Sequence, residues 1–179
     1  MTGLQLLVGG LLYESSQLAI PWDSMDPEYL AVPTKWCVWD LLRFIVIQGP
    51  LSSFIDISTF CINWFFYKLR DPENIAAVKT FQTQWYLQGI LTQVLIVHLV
   101  RTAKLPFIQS QPTKPLIFSS ALVLAVGFAL VYIPPVANAM HFTKPENSFL
   151  GFLAAEMAFY AVIVEVTKRI QLKVFKRWL

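Results

Sequence analysis

LIFSSALVLAVGFALVYI, residues 116–133, runs eighteen residues without a charge. A helix rises about 1.5 Å per residue and a bilayer's hydrocarbon core is about 30 Å thick, so about 20 mainly apolar residues cross it. Working outward from this run, which with Pro115 makes a span of Pro115–Ile133, four further blocks qualify: Gly3–Pro21, Leu42–Tyr67, Trp85–Val100 and Phe149–Val166. The whole 179-residue chain is 56% hydrophobic and 14% charged, against roughly 25% charged in a soluble domain. Strands of a membrane barrel would alternate strictly over about ten residues, and these blocks do not. The expected fold is all-α and integral to the membrane, a five-helix transmembrane bundle occupying residues 1–179. Connections are short and leave no room for a soluble domain.

A secretory signal peptide opens with positive charge, whereas the first cation here is Lys35. Cytoplasmic loops collect Lys and Arg, which sets the expected orientation. Ten of the 14 cations lie around loops 22–41 and 101–114 and in the C-terminal tail, against Lys68, Arg70, Lys79 and Lys144 on the other side. The N-terminus is therefore expected outside, the C-terminus in the cytoplasm, and the protein multi-pass in the inner (plasma) membrane. The connector Trp22–Leu41, acidic and then proline-bearing, suits an ordered cytoplasmic link. The tail from Lys168 interleaves cations with apolar residues, as an anchor over anionic lipid does. A net charge of +3, distributed by topology, gives no nucleic-acid face. Cys37 and Cys61 sit at different depths, so no disulfide is expected.

A carboxylate within hydrocarbon is costly and marks a candidate functional site. Glu14 lies one turn beyond Gly9-Gly10, where adjacent glycines weaken a helix and can free carbonyl oxygens for a hard cation such as Mg²⁺ or Ca²⁺. Close helix packing explains the same glycines equally well. Asp56 falls about 18 Å along its helix from Phe44, near the midplane. It is either an ion ligand or the partner of Gln88 or Gln93, after a kink at Gly49-Pro50. The Gln88, Thr92 and Gln93 face of the third span offers oxygen ligands or interhelical hydrogen bonds, with His98 and Arg101 at its cytoplasmic end. His98 reads as interfacial rather than metal-binding, since zinc needs three or four converging His or Cys groups. Glu165 is spaced to pair with Lys168 or Arg169. Glu156 has no partner legible in the sequence. No Walker loop, Asp-Lys-Thr-Gly phosphorylation motif or serine elbow is present, so the chain alone is expected neither to bind nor to split ATP.

LLYESSQLAIPWDSMD at 11–26, DLLRFIVIQGPLSSFIDISTFC at 40–61 and FQTQWYLQGILTQVLIVHLVRTAKLPFIQS at 81–110 resemble the C-terminal region of bacterial magnesium-transporting P-type ATPases. The likeness covers about 100 of the 179 residues, in the same order. It implies that the five spans correspond to helices six to ten of a ten-helix transporter, and the Lys and Arg count agrees on orientation. It also implies a partly unwound sixth helix whose ion ligands, an Asn and an Asp one turn apart, map onto Gly10 and Glu14. Both positions depart from the pattern. Gly10 offers only its backbone carbonyl, and Glu14 keeps the charge with a longer reach, which matters for an ion demanding near-octahedral geometry.

The resemblance thus implies metal ligands Glu14 and Gly10, with Asp56 added from its depth, and Mg²⁺ as transported ion. ATP would act only through phosphorylation, nucleotide and actuator domains that precede the matching region. Two readings follow. In the first, the chain is a truncated or split C-terminal membrane domain of a Mg²⁺-transporting P-type ATPase, with the N-terminal half of the pump as its partner. In the second, it is a small stand-alone membrane protein that binds or regulates a full-length pump.

Overall fold

The computed structural model of the chain describes residues 1–24 and 37–175. Among these residues there are six α-helices and no strand. Three of the helices are long and apolar enough to cross a membrane. The protein is accordingly a multi-pass, all-helical membrane protein. The expected connector 22–41 and the end of the tail fall largely outside the described residues.

Helix α1, Gly3–Gln17, opens on a reciprocal cap. The Gln5 backbone N–H donates to the Thr2 hydroxyl at 3.3 Å and the Thr2 N–H to Gln5 Oε1 at 2.9 Å, satisfying two donors that a helix start leaves free. The helix then runs unbroken through Gly9 and Gly10, where the resemblance implied unwinding. At Gly9 the missing side chain admits a neighbour instead: a Cβ there would lie 3.4 Å from the Tyr86 ring. Close packing is thus displayed at Gly9, whereas a Cβ on Gly10 would meet nothing within 4 Å. A short 3₁₀ turn, Ile20–Trp22, follows at Pro21.

Helix α2, Val38–Cys61, continues through Pro50 and widens into a π turn at Ile62–Phe66. Only 17% of its span window is buried, so most of its apolar surface faces outward, as lipid contact requires. Helix α3, Ile75–Val100, begins ten residues before the expected span. The Asn74 side chain caps it, accepting from the N–H groups of Ala76 and Ala77 at 3.1 and 3.2 Å. Helix α4, Lys114–Tyr132, stops before Pro134-Pro135, which open the short α5, Pro134–Ala139. Helix α6, Asn147–Phe175, runs nine residues past the expected end at Val166.

Helix α3 is the axis of the bundle and touches α1, α2, α4 and α6. It carries the most polar interior of any helix: Thr83, Gln84, Gln88, Thr92 and His98 are all buried. These residues explain why α3 is not among the three strongly apolar helices. Its neighbours, rather than lipid, solvate it. Its apolar faces meet the others in two clusters, one built on Tyr86, Leu87, Ile90 and Val94, the other joining Leu99 to Ile55, Tyr160 and Val164.

Two ionic clamps close one end of this axis. Arg101, the residue after α3, donates through Nε and Nη2 to both carboxylate oxygens of Asp23 at 2.6 and 3.2 Å. Its other N–H groups reach the carbonyls of Ser24 and Ser110, while the Thr113 N–H also donates to Asp23 at 3.0 Å. Three chain segments are thereby tied together. Burial on its own would raise the Asp23 carboxyl, but the Thr113 N–H and the Arg101 guanidinium outweigh it and hold Asp23 below its ordinary 3.8. The second clamp is Lys168, which is fully buried and not the lipid-facing cation expected of the tail. Its ammonium pairs with Glu165, as the spacing suggested, and donates to the carbonyls of Leu99 and Lys104 at 3.2 and 2.9 Å. Near the same end of α6, the Arg43 guanidinium lies 4.0 Å over the Phe175 ring.

Two outcomes are expected of this packing. A Cβ on Gly127 would fall 2.5 Å from Ile90 Cδ1, whereas one on Gly151 meets nothing within 4 Å. Gly151→Ala should therefore gain about 0.5–1 kcal/mol through helix propensity, and Gly127→Ala should be less favourable than that, because the buried Ile90 methyl must shift to admit the new Cβ. Equilibrium unfolding in mixed micelles measures both. By the same assay Arg101→Ala should cost about 3 kcal/mol at pH 7, because it strands a mostly buried carboxylate. A depressed carboxyl stabilises the fold above its unfolded value and ceases to do so as pH falls through the folded one. The penalty should hold from pH 8 to pH 5 and shrink below about pH 4, near the 3.8 of a free Asp.

Candidate ion-binding site

Packing α1 and α2 against α3 leaves a cavity of about 230 Å³ lined by Gly9, Gly10, Ser52, Asp56, Thr92 and Gln93 among others. Asp56 supplies the carboxylate. The Gln88 amide donates from Nε2 to Asp56 Oδ1 at 3.0 Å, which is the pairing the depth of Asp56 suggested, while Gln88 Oε1 is buried with no partner. Thr92 and Ser52 add hydroxyls and Gln93 an amide at the same level. This donor set is oxygen throughout, the chemistry of Mg²⁺ and Ca²⁺ rather than of copper or zinc.

Sequence spacing grouped Glu14 with Gly10, and the fold separates them. Gly10 borders the cavity with Asp56 on the opposite wall, whereas Glu14 is exposed on α1 and lines neither this cavity nor its neighbour. The cause is helical geometry: four residues make slightly more than one turn, and here the added rotation carries Glu14 off the face that meets α3. The Gly10 carbonyl lies within the unbroken helix. Among the described residues no three His, Cys, Asp or Glu side chains converge, so amides and hydroxyls would have to complete any shell around Asp56.

The neighbouring cleft, about 550 Å³, shares Ser52, Thr92 and Gln93 with the first cavity and extends past Gln48 to the Asp23–Arg101 clamp. His98 is buried in the α3–α4 contact, its Nε2 2.9 Å from the Ser120 hydroxyl. Glu156, which sequence reasoning left without a partner, accepts hydrogen bonds from the hydroxyls of Ser58 and Thr59 on α2. The only sequence signal for this group was Thr59 lying one turn beyond Asp56 on the same helix face.

Comparison with known proteins matches this architecture over nearly its full length. The family model described as "Cation transporting ATPase, C-terminus" matches residues 1–170. The protein named "Magnesium-transporting ATPase, P-type 1" in Salmonella typhimurium strain LT2 is 37% identical over 180 residues, covering 99% of this chain and 19% of the relative. The protein of that name in Escherichia coli K12 is 39% identical over 168 residues, covering 94% of this chain and 18% of the relative. The chain thus spans about a fifth of the length of the relatives it matches. Long, apolar helices around a polar central helix, matched from residue 1 to residue 170, establish that the chain belongs to the cation-transporting ATPase C-terminal family.

Proposed function

We propose that this chain is the C-terminal membrane portion of a Mg²⁺-transporting P-type ATPase and contributes ion-site and supporting helices to it. Helices α1, α2, α3, α4 and α6 cross the inner membrane, with the N-terminal end outside and the C-terminal end in the cytoplasm. Mg²⁺ is the transported substrate, and ATP hydrolysis belongs to domains other than these helices. The observation that carries the reading is Asp56, a carboxylate at mid-helix depth in an oxygen-lined cavity and held by Gln88. A bilayer protein keeps such a group at a cost only if it is used.

Two supports differ in kind. The names of the relatives give the substrate class, and the oxygen donor set fits a hard divalent cation. Glu14 enters as a ligand from a second direction. Exposed on a membrane helix, it calls for a partner beyond this bundle, and the remaining helices of a pump would supply one together with the ion. The Gly10 carbonyl stands at the boundary between the Glu14 face and the Asp56 cavity.

A chimera tests the reading. Residues 1–179 replace the matching C-terminal region of the Salmonella relative, and ATP-dependent Mg²⁺ uptake is measured in vesicles. Uptake is expected in the chimera. Asp56→Asn and Glu14→Gln should each reduce it at least tenfold with membrane insertion unchanged. A chimera that inserts fully but never transports would contradict the assignment, and undiminished uptake by Asp56→Asn would remove Asp56 from the site.

A further inference from the structure

The polar residues of the α2–α3 contact extend well beyond the Asp56 cavity. On α2, Gln48, Ser52, Asp56, Thr59 and Asn63 recur at intervals of three and four residues and so share one face. On α3, Gln84, Gln88 and Thr92 recur at intervals of four. The Gln88–Asp56 hydrogen bond sets the register between the two helices, which run antiparallel across the short connection 67–74. One turn one way, Thr92 stands level with Ser52, and both line the same two cavities. One turn the other way, Gln84 stands level with residues 59–60, in agreement with the Phe60 ring lying 5.6 Å from that of Phe81. Glu156 on α6 closes the row against Ser58 and Thr59. The two faces form one polar seam from Gln48 to Asn63, over the second half of α2 and into the π turn.

Most amides of the seam lack partners. Gln84, Gln88 and Asn63 are fully buried and Gln48 is 6% exposed. Both polar atoms of Gln48, Gln84 and Asn63 are without a hydrogen bond, as is Gln88 Oε1. Bare amides at this depth in hydrocarbon are costly. The chemistry of the orphans narrows what relieves the cost. A metal ion satisfies an amide oxygen but repels its NH₂ group, whereas here both ends are free. The missing partner must donate and accept, as water does. Two carboxylates, Asp56 and Glu156, lie along the row, and Arg101, the cation at the cleft where it begins, is paired with Asp23.

We propose that the seam between α2, α3 and α6 is a water-filled path for cations. It begins in the 550 Å³ cleft beside the Asp23–Arg101 clamp, passes Gln48, Ser52 and Asp56, and continues by Thr59, Gln84 and Glu156 to Asn63. Water spans the amides and the carboxylates give the path its cation preference. The proposal rests on the membrane reading above, yet concerns a route distinct from the ion ligands themselves.

Cysteine access and water-edited NMR test it on the full chain in liposomes. Cys37 and Cys61 are both free, so they are first replaced by serine. Single cysteines are placed in the seam, Gln48→Cys and Ser52→Cys, and on the outward face of α2, Val46→Cys and Ile57→Cys, which stand 61% and 59% exposed. The cationic thiol reagent MTSET should react at the seam at least tenfold faster than at the outward face, and at least tenfold faster than the anionic MTSES. Without any substitution, the side-chain amides of Gln84 and Asn63 should receive magnetisation from water as fast as that of Gln48. Seam cysteines as inert as the outward ones, or equal rates for the two reagents, would overturn the cation path. Water reaching Gln48 but not Gln84 or Asn63 would overturn its passage beyond Asp56. Outward cysteines as reactive as seam ones would sink the membrane reading and the path with it.

Discussion

A polar side chain at membrane depth must be kept from the lipid and given a partner in protein or water, and α3 is built around that constraint. Its buried face carries Thr83, Gln84, Gln88, Thr92 and His98, a composition lipid would not tolerate. Four helices pack around it and shield it from lipid, supplying Asp56 to Gln88 and Ser120 to His98. Their own apolar surface is spent outward, on lipid, which is why so little of α2 is buried. The bundle is thus the inverse of a soluble protein, apolar outside and polar along its axis. With the hydrophobic drive between helices absent, close packing and interhelical hydrogen bonds must hold the assembly together. Tyr86 beside Gly9, and Ile90 against Gly127, supply the packing; Gln88 on Asp56 and Ser58 and Thr59 on Glu156 supply the hydrogen bonds.

The charged clamps complete this arrangement at one end of the bundle. Asp23 and Arg101 join the segment after α1 to the α3–α4 connection, and Lys168 joins α6 to the end of α3. Each places a charge where several backbone carbonyls or N–H groups would otherwise lack partners. The result fixes the mouth of the larger cleft, so that any route from that end toward Asp56 starts at an ion pair.

Apolar run length made the second, fourth and fifth spans legible, because hydrocarbon thickness leaves few alternatives. Depth along a helix was enough to bring Asp56 to Gln88, and three-residue spacing to bring Glu165 to Lys168. What escaped reading was what depends on tertiary contact. Asp23 and Arg101 are 78 residues apart, and neither charge announces the other. The partners of Glu156 lie almost a hundred residues upstream, and nothing in the sequence neighbourhood of His98 reveals Ser120. Glu14 and Gly10 are one turn apart in sequence, but only the placement of α3 decides which of them meets the cavity. The glycine pair carried an expectation of unwinding, yet the helix stays continuous, with Gly9 alone serving proximity to Tyr86.

The central claim is that α3 crosses the membrane while hidden from it, and bilayer photolabelling tests this most directly. A diazirine dissolved in the lipid tails inserts into whatever side chains it meets, and peptide mapping then gives the labelling of each helix. The account predicts heavy labelling of α2, α4 and α6, and labelling of 80–98 in α3 near background. Labelling of α3 as heavy as that of α4 would contradict it.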